Sequence, residues 1–160
     1  MPYRVDLRSD LDLVVAHFRG DISQHEIETA LTEVPRMEGF RANLDVLIDF
    51  RGCTTAMGWW QVRQLAAFAR QRERAWGHSK WAILVSSDLV FGLVRIFIAF
   101  ANQGDVKSQV FRDAPTAFAW LKAGGDAAAI LDALAVKLAA DEAPAPSQIK
   151  SGDSRAGPGR

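Results

Sequence analysis

The chain has 160 residues, 49% of them apolar, and its 19 lysine and arginine residues balance 19 aspartate and glutamate residues. This length and composition are typical of one globular domain with a hydrophobic core. Because the chain lacks the basic excess that displaces counterions from phosphates, we expect no nucleic-acid partner.

The N-terminus and the apolar segments predict a cytoplasmic protein. Residues 1–8 contain Asp6 and no apolar segment of the kind found in secretory signals. The longest apolar stretch, 89–101, is shorter than the roughly 20 residues that span a bilayer, so we expect no transmembrane segment. Cys53 is the single cysteine, which excludes an intrachain disulfide and fits a reducing compartment.

The first part of the chain predicts a hairpin followed by a helix and a buried strand. Residues 3–8 and 11–18 form two β-rich segments around a Ser9-Asp10 turn. The pair Ser23 and Glu26 has the spacing of a capping box and predicts the start of a helix. A buried strand is predicted over 44–50. We expect Thr54 or Thr55 to cap the helix that follows, which carries an inward stripe of Val62, Leu65, Ala66 and Ala69.

The second part predicts two more strands and three more helices. Strands are expected at 81–85 and 108–111, with the apolar helix 89–101 between them after cap residues at 86–88. Asp113 and Asp126 are predicted caps of the last two helices. The final helix carries an apolar stripe of Ile130, Leu134 and Leu138.

This alternation predicts an α/β fold with parallel pairing through right-handed crossovers. The expected order is β-β-α-β-α-β-α-β-α, with a mixed, mostly parallel sheet of about five strands flanked by helices and an extra C-terminal helix. We place the domain at residues 1–142. Residues 143–160, rich in Ala, Pro, Ser, Gly and charge, are expected to form a disordered tail.

The order of elements resembles that of STAS domains, the SpoIIAA-like branch in particular. The resemblance rests on four segments: FRGDI at 18–22, VLIDFR at 46–51, FGLVR at 91–95 and VFRDAPTAFAWL at 110–121. This family has been likened to both antagonist and CRAL-TRIO-type folds, and its activity is generally unassigned. The resemblance therefore implies the fold and a non-enzymatic interaction or regulatory role.

One departure from the family concerns regulation by phosphorylation. Phosphorylatable antagonists carry an Asp-Ser pair at the start of the helix after the second buried strand, whereas residues 56–59 here are Ala-Met-Gly-Trp. The regulatory serine is absent. We interpret Thr54 and Thr55 as helix caps rather than as modified residues.

No combination of residues predicts a catalytic, cofactor or metal site. The three histidines, His17, His25 and His78, lack the spacing of metal ligands. Cys53 follows a buried strand, and a nearby helix N-terminus could lower the pKa of its thiol, but no base accompanies it, so we interpret it as a partly buried structural thiol. Asp49 is interpreted as a strand-end carboxylate satisfied by backbone N–H groups. We expect no enzymatic activity and no cofactor.

One basic cluster stands out, formed by Arg63, Arg70, Arg72, Arg74 and Lys80 and interleaved with Trp76 and Trp81. Such a run is usually a solvated helix face. The alternative is a site for an anionic headgroup or a nucleotide phosphate.

The helix 89–101 is apolar nearly all round, with Arg95 as its only charge. Its Leu89, Leu93, Ile96 and Phe100 are expected to face the sheet. The other apolar side chains then need cover, since monomers rarely expose so large an apolar patch. Three covers are open: a second subunit, an apolar ligand, or the helix of residues 126–140. A two-fold homodimer is the first choice because isologous dimers are the commonest oligomers.

Two functions follow from these patterns. The first is a non-enzymatic, STAS-like protein-interaction or regulatory module that is homodimeric and binds a protein partner. The alternative is a module for a small apolar ligand, a lipid or acyl chain, held between the helices starting near Thr55 and Asp88, with Arg95 meeting its polar head. The candidate surface for ligand or partner comprises Cys53, Thr55, Trp59, Trp60, Phe91, Val94, Arg95 and Phe97.

Overall fold

The computed structural model describes residues 3–142, in which one five-stranded sheet carries helices on both faces. The strands, side by side in chain order, are β1 (Tyr3–Arg8), β2 (Leu13–Phe18), β3 (Asp45–Asp49), β4 (Lys80–Leu84) and β5 (Lys107–Phe111). The helices are α1 (Gln24–Glu33), α2 (Trp59–Gln71), α3 (Glu73–Trp76), α4 (Asp88–Ala101), α5 (Ala114–Leu121) and α6 (Ala127–Glu142), and a 3₁₀ turn (Val34–Arg36) follows α1. The predicted tail, 143–160, lies outside the described residues.

The pairing of the strands confirms the predicted fold class. β1 runs antiparallel to β2, whereas the pairs β2–β3, β3–β4 and β4–β5 are parallel. A parallel connection needs a crossover, and α1, α2 with α3, and α4 supply the three that this sheet requires. The order is the predicted β-β-α-β-α-β-α-β-α with one further C-terminal helix.

The sheet has two buried faces because alternate side chains of a strand point to opposite sides. In β2, Val14 packs in the cluster beneath α1, α2 and α4, while Leu13 and Val15 pack in the cluster beneath α5 and α6. All six residues of β2 are buried, as expected for an inner strand covered on both faces.

Three predicted helix starts are confirmed by local hydrogen bonds. The Ser23 hydroxyl accepts from the Glu26 backbone N–H, and the Glu26 carboxylate accepts from the Ser23 N–H. The Asp113 carboxylate accepts from the Thr116 N–H at 2.9 Å. The Ser87 hydroxyl caps α4 through the N–H of residue 90. These caps satisfy N–H groups that the first helical turn leaves without partners.

The predicted cap of α2 is wrong. α2 begins at Trp59 with Gly58 as its N-cap, and the Gly58 N–H donates to the side chain of Gln61. The Thr55 hydroxyl instead donates to the carbonyl of Ile22 at 2.6 Å and accepts from the N–H of Met57. Long-range contacts thus hold residues 53–58 extended across the end of the sheet and delay the helix.

The buried stripe of α4 also differs from the prediction. Val90, Val94, Phe97 and Ala101 are buried, whereas Leu89 is 64% exposed and Phe100 is 38% exposed. The predicted stripe therefore lies largely on the outer side of the helix. A helix that is apolar nearly all round offers no contrast from which its orientation can be read.

The last helix does not cover α4. α6 packs on β1, β2 and α5, which places it on the opposite face of the sheet from α2 and α4. Its predicted stripe of Ile130, Leu134 and Leu138 is buried there. Of the three covers considered for helix 89–101, the helix of residues 126–140 is therefore excluded.

Candidate ligand cavity and outer helix face

An apolar cavity lies between the sheet and the helices α1, α2 and α4. Its empty volume is about 690 Å³, including its open mouth. Trp81 and Ile83 of β4 line the sheet side. The helices contribute Leu31 from α1, Leu65 from α2, and Phe97 with its neighbours on the buried stripe of α4. The walls are built from the same side chains that form the core of this face.

A second cavity of about 390 Å³ adjoins the first and extends it along the strands. The two share five wall residues: Ile27, Leu31, Ile48, Phe50 and Trp81. The second cavity reaches Val46 and Trp76, near the amino end of the sheet. The shared walls place the two cavities side by side beneath α1, and we call the two together the slot.

The mouth of the slot lies at the carboxyl edge of the sheet. Among the wall residues there, Thr54 is exposed, and Thr55, Met57 and Leu93 are half-buried. These side chains come from the extended segment 53–58 and from the first half of α4. Open α/β sheets present ligand crevices at this edge.

The predicted surface residues divide into two groups in the structure. Cys53, Thr55, Val94 and Phe97 line the cavity. Four others lie outside its walls: Trp59, Trp60, Phe91 and Arg95. Phe91 packs under the guanidinium of Arg112, which lies 4.4 Å from its ring centroid, and the other three are exposed.

Several wall residues were not predicted as part of a site. Ile27, Leu31, Val62 and Leu65 line the cavity, yet in the sequence they are ordinary members of amphipathic helix stripes. Such a stripe looks the same whether it packs tightly or leaves space beneath it. Met57 is a large apolar residue in an extended segment outside any helix stripe, and that position could have suggested a site.

The outer sides of α2 and α4 form a continuous apolar face with one arginine at its centre. The Arg63 guanidinium lies 5.5 Å from the Trp60 ring centroid and 5.1 Å from that of Phe100. The Trp59 and Trp60 rings contact each other edge to face. We call the surface formed by Trp59, Trp60, Arg63, Leu89 and Phe100 the outer face.

A buried polar cluster joins β2 and β3 on the side of α5 and α6. His17 Nδ1 lies 2.9 Å from Asp49 Oδ2, and Arg51 donates to both carboxylate oxygens from its guanidinium and to Oδ1 from its backbone N–H. Burial alone would raise the pKa of Asp49, but the hydrogen bonds from His17 and Arg51 outweigh it and lower that pKa to about 2. The interpretation of Asp49 as a satisfied strand-end carboxylate is consistent with this geometry.

Cys53 is a buried structural thiol, the interpretation preferred from the sequence, and not an activated one. Burial, aided by the charge of Asp49, raises the pKa of its thiol to about 12. At neutral pH the thiol therefore stays protonated, whereas the thiolate is the nucleophile. Its side chain serves as a small apolar part of the cavity wall.

Two further observations concern residues 3–142. They contain no group of three or more His, Cys, Asp or Glu side chains arranged to hold a metal ion. No helix in this part of the chain is long and apolar enough to cross a bilayer.

Comparison with known proteins finds similarity among solved structures alone. No protein-family model and no curated protein matches the chain. A solved structure of an uncharacterised protein of the DUF3478 family from Shewanella loihica PV-4, described as having a SpoIIAA-like fold, has 16% sequence identity and a TM-score of 0.48. The similarity covers 74% of this chain and 91% of that one.

Proposed function

We propose that this chain is a non-enzymatic binding module that holds an apolar ligand, a lipid or acyl chain, in the cavity beneath α2 and α4. The observation that carries the proposal is the cavity itself, with walls of aliphatic and aromatic side chains and space for water-sized molecules of about 80 Å³, which a ligand would widen by moving wall side chains. Pockets for small ligands occupy roughly 300–1,000 Å³ and are mostly apolar. The cytoplasmic location expected from the sequence is part of the same proposal.

The shape and polarity of the slot favour a chain-like ligand. Its extension toward Trp76 is as apolar as its mouth, so an unbranched hydrocarbon chain fits it better than a molecule with polar groups along its length. The hydroxyls at the mouth already have partners, since Thr54 donates to Asp21 and Thr55 to Ile22. A polar head therefore stays at the mouth, in contact with water.

Arg95 does not support the role expected for it. Arg95 lies two residues beyond Leu93, the α4 side chain at the mouth. Because a helix turns by about 100° per residue, Leu93 and Arg95 lie on different sides of α4. The polar head of a ligand at the mouth lies closer to the threonines of segment 53–58 than to this arginine.

The chemistry of the cavity walls supports binding without catalysis. The one thiol there is protonated at neutral pH. The buried carboxylate of Asp49 lies on the opposite face of the sheet and is held by three donors of Arg51 and one of His17. A nucleophile with its base is the minimum that covalent catalysis needs, and the described walls carry no such pair.

Filling the cavity should abolish ligand binding while the chain stays folded. We expect saturable changes in tryptophan fluorescence when fatty acids are titrated into the wild-type protein, because Trp81 lies in the wall. Val94→Phe places a ring in the slot and should remove the saturable change. Arg95→Ala is the matched control on the same helix and should titrate as the wild type does.

The thermal midpoint of Val94→Phe distinguishes filling from misfolding. A ring that enters existing space should keep the midpoint at or above that of the wild type, and Val62→Phe provides a second filling variant if it does not. The proposal is wrong if the wild type shows no saturable change with any chain length and its organic extract contains no lipid by mass spectrometry.

The predicted homodimer stays a prediction. Its support is the apolar outer face, and light scattering at micromolar concentration measures it directly. Val94 and Phe97, which the sequence placed on the partner surface, are buried within the chain, so a dimer through α4 would use Leu89 and Phe100 instead.

A further inference from the structure

The outer face holds most of the large apolar side chains that are exposed in residues 3–142. Four of the six lie on it: Trp59, Trp60, Leu89 and Phe100, the other two being Met37 and Val136. Trp59 is 58% and Trp60 52% exposed. Gly92 and Ala99 of α4 are also exposed and are too small to stand above the face. The result is a low apolar surface from which the two indoles and Leu89 project.

The charged residues of α2 and α4 are mostly basic. α2 contains Arg63 and Arg70 and no acidic residue, and α4 contains Arg95 and Asp88. The Asp88 carboxylate accepts a hydrogen bond from Arg112 at 2.7 Å. The outer face itself carries the charge of Arg63, and Asp88, which precedes Leu89, is paired with Arg112.

This charge pattern decides between a second copy of the chain and a different partner. A two-fold dimer through the outer face brings the same patch of both subunits together, so Arg63 would meet a surface that carries an arginine and no carboxylate. Like charges in an interface oppose association. An anionic partner has the complementary sign.

The apolar side chains indicate which anionic partner fits. Tryptophan is enriched at the membrane–water interface, where an indole keeps its N–H hydrated while its rings contact acyl chains. Surfaces that combine Trp and Leu with Arg or Lys bind anionic bilayers through apolar insertion and charge attraction together. We propose that the outer face is a docking surface for an anionic lipid bilayer.

The position of the outer face relative to the cavity fits this proposal. Leu89 is one helical turn before Leu93, which lies at the mouth, and Trp59 and Trp60 follow Met57, which also lies there. Docking of this face would bring the mouth against the bilayer surface. The docking surface does not depend on the cavity, since an empty cavity would leave its charges and indoles in place.

Vesicle flotation with the full chain tests the proposal. We expect binding to vesicles of about three parts phosphatidylcholine and one part phosphatidylglycerol, decreasing as salt rises, and little binding to phosphatidylcholine alone. Arg63→Gln should weaken the affinity about five-fold, the usual effect of one basic residue near an anionic surface. Leu89→Ser should weaken it by about ten-fold.

Two variants on the opposite side of the sheet are matched controls. Val136 of α6 is 69% exposed, and its neighbour Lys137 is exposed as well. Val136→Ser and Lys137→Gln remove the same kinds of group and should bind vesicles as the wild type does. Val94→Phe, which fills the cavity, should also bind normally, so that failure of the ligand proposal and failure of this one are distinguishable.

Three results would overturn the proposal. One is a wild-type chain that binds no anionic vesicle at low salt. Another is an equal loss of binding in Leu89→Ser and Val136→Ser, which would mean that no particular face docks. The third is a wild-type dimer in sedimentation that does not bind vesicles and that Leu89→Ser converts to a monomer. That result would assign the outer face to a second copy of the chain.

Discussion

Asp49→Asn is expected to lower the free energy of unfolding by about 3 kcal/mol at pH 7, because His17 and Arg51 lose the buried negative charge with which they pair. Asp49 is fully buried and accepts from both His17 and Arg51, and an amide can replace only part of those hydrogen bonds. Urea denaturation followed by circular dichroism measures the loss. Asp10→Asn removes an exposed carboxylate that pairs with Arg8 and should leave the stability nearly unchanged.

The same carboxylate predicts how stability depends on acid. Its folded-state pKa of about 2 lies below the ordinary value of 3.8, so its contribution is complete above about pH 4 and is lost as the pH falls through 2. The shift corresponds to about 2 kcal/mol. The Asp49→Asn chain should therefore lose less stability between pH 4 and pH 2 than the wild type. Parallel stability curves for the two chains would contradict the assignment.

Val94→Asp is expected to lower the free energy of unfolding by about 3 kcal/mol or more, because it places a carboxyl group among apolar side chains that offer it no partner. Val94 is 8% exposed and lies in the cavity wall with Val90 and Phe97. Urea denaturation again provides the measurement. Burial favours the protonated form of the introduced carboxyl, so the destabilisation by Val94→Asp should become smaller as the pH falls. This is opposite to the contribution of Asp49, which is lost as the pH falls.

Ala99→Asp is the matched control on the same helix. Ala99 is exposed on the outer side of α4, so its substitution should leave the free energy of unfolding within about 0.5 kcal/mol of the wild type. If Val94→Asp kept full stability and only dissociated an assembly, Val94 would lie at a subunit contact and the described orientation of α4 would be wrong.

Local signals explain how much of the fold could be predicted. A serine or aspartate followed by its partner three residues later marks a helix start, and Ser23, Asp113 and Asp126 all act as caps in the structure. Strand segments with apolar residues on both faces identified the inner strands. These signals need only a few neighbouring residues, so the sequence contains them in full.

The predictions are wrong where the local structure depends on contacts between residues that are far apart in the sequence. Thr55 has the right side chain for a helix cap, but its hydroxyl bonds to Ile22, far away in the chain, and α2 starts later. In α4 nearly every position is apolar, so packing against α2 and β5 rather than periodicity selects Val94 over Leu93 for burial.

The cavity could be predicted only in its general position. The carboxyl edge of an α/β sheet is a usual place for a crevice, and Cys53, Val94 and Phe97 were expected near it. Its volume depends on how far α1, α2 and α4 stand from the sheet. No single residue encodes that spacing, which is why Leu31 and Leu65 looked like ordinary core positions.

The order of the strands has a consequence for folding during synthesis. Since the strands are added to the sheet in chain order, the face beneath α1, α2 and α4 can close progressively as the chain emerges from the ribosome. The other face is covered only after α5 and α6 have been synthesised. α6 packs on β1 and β2, which are the first strands to be synthesised. Until Leu131, Leu134 and Leu138 arrive, Leu13 and Val15 lack their cover. Until then, the nascent domain exposes an apolar surface on β1 and β2. A chaperone that binds exposed apolar surfaces would bind the nascent chain at these strands.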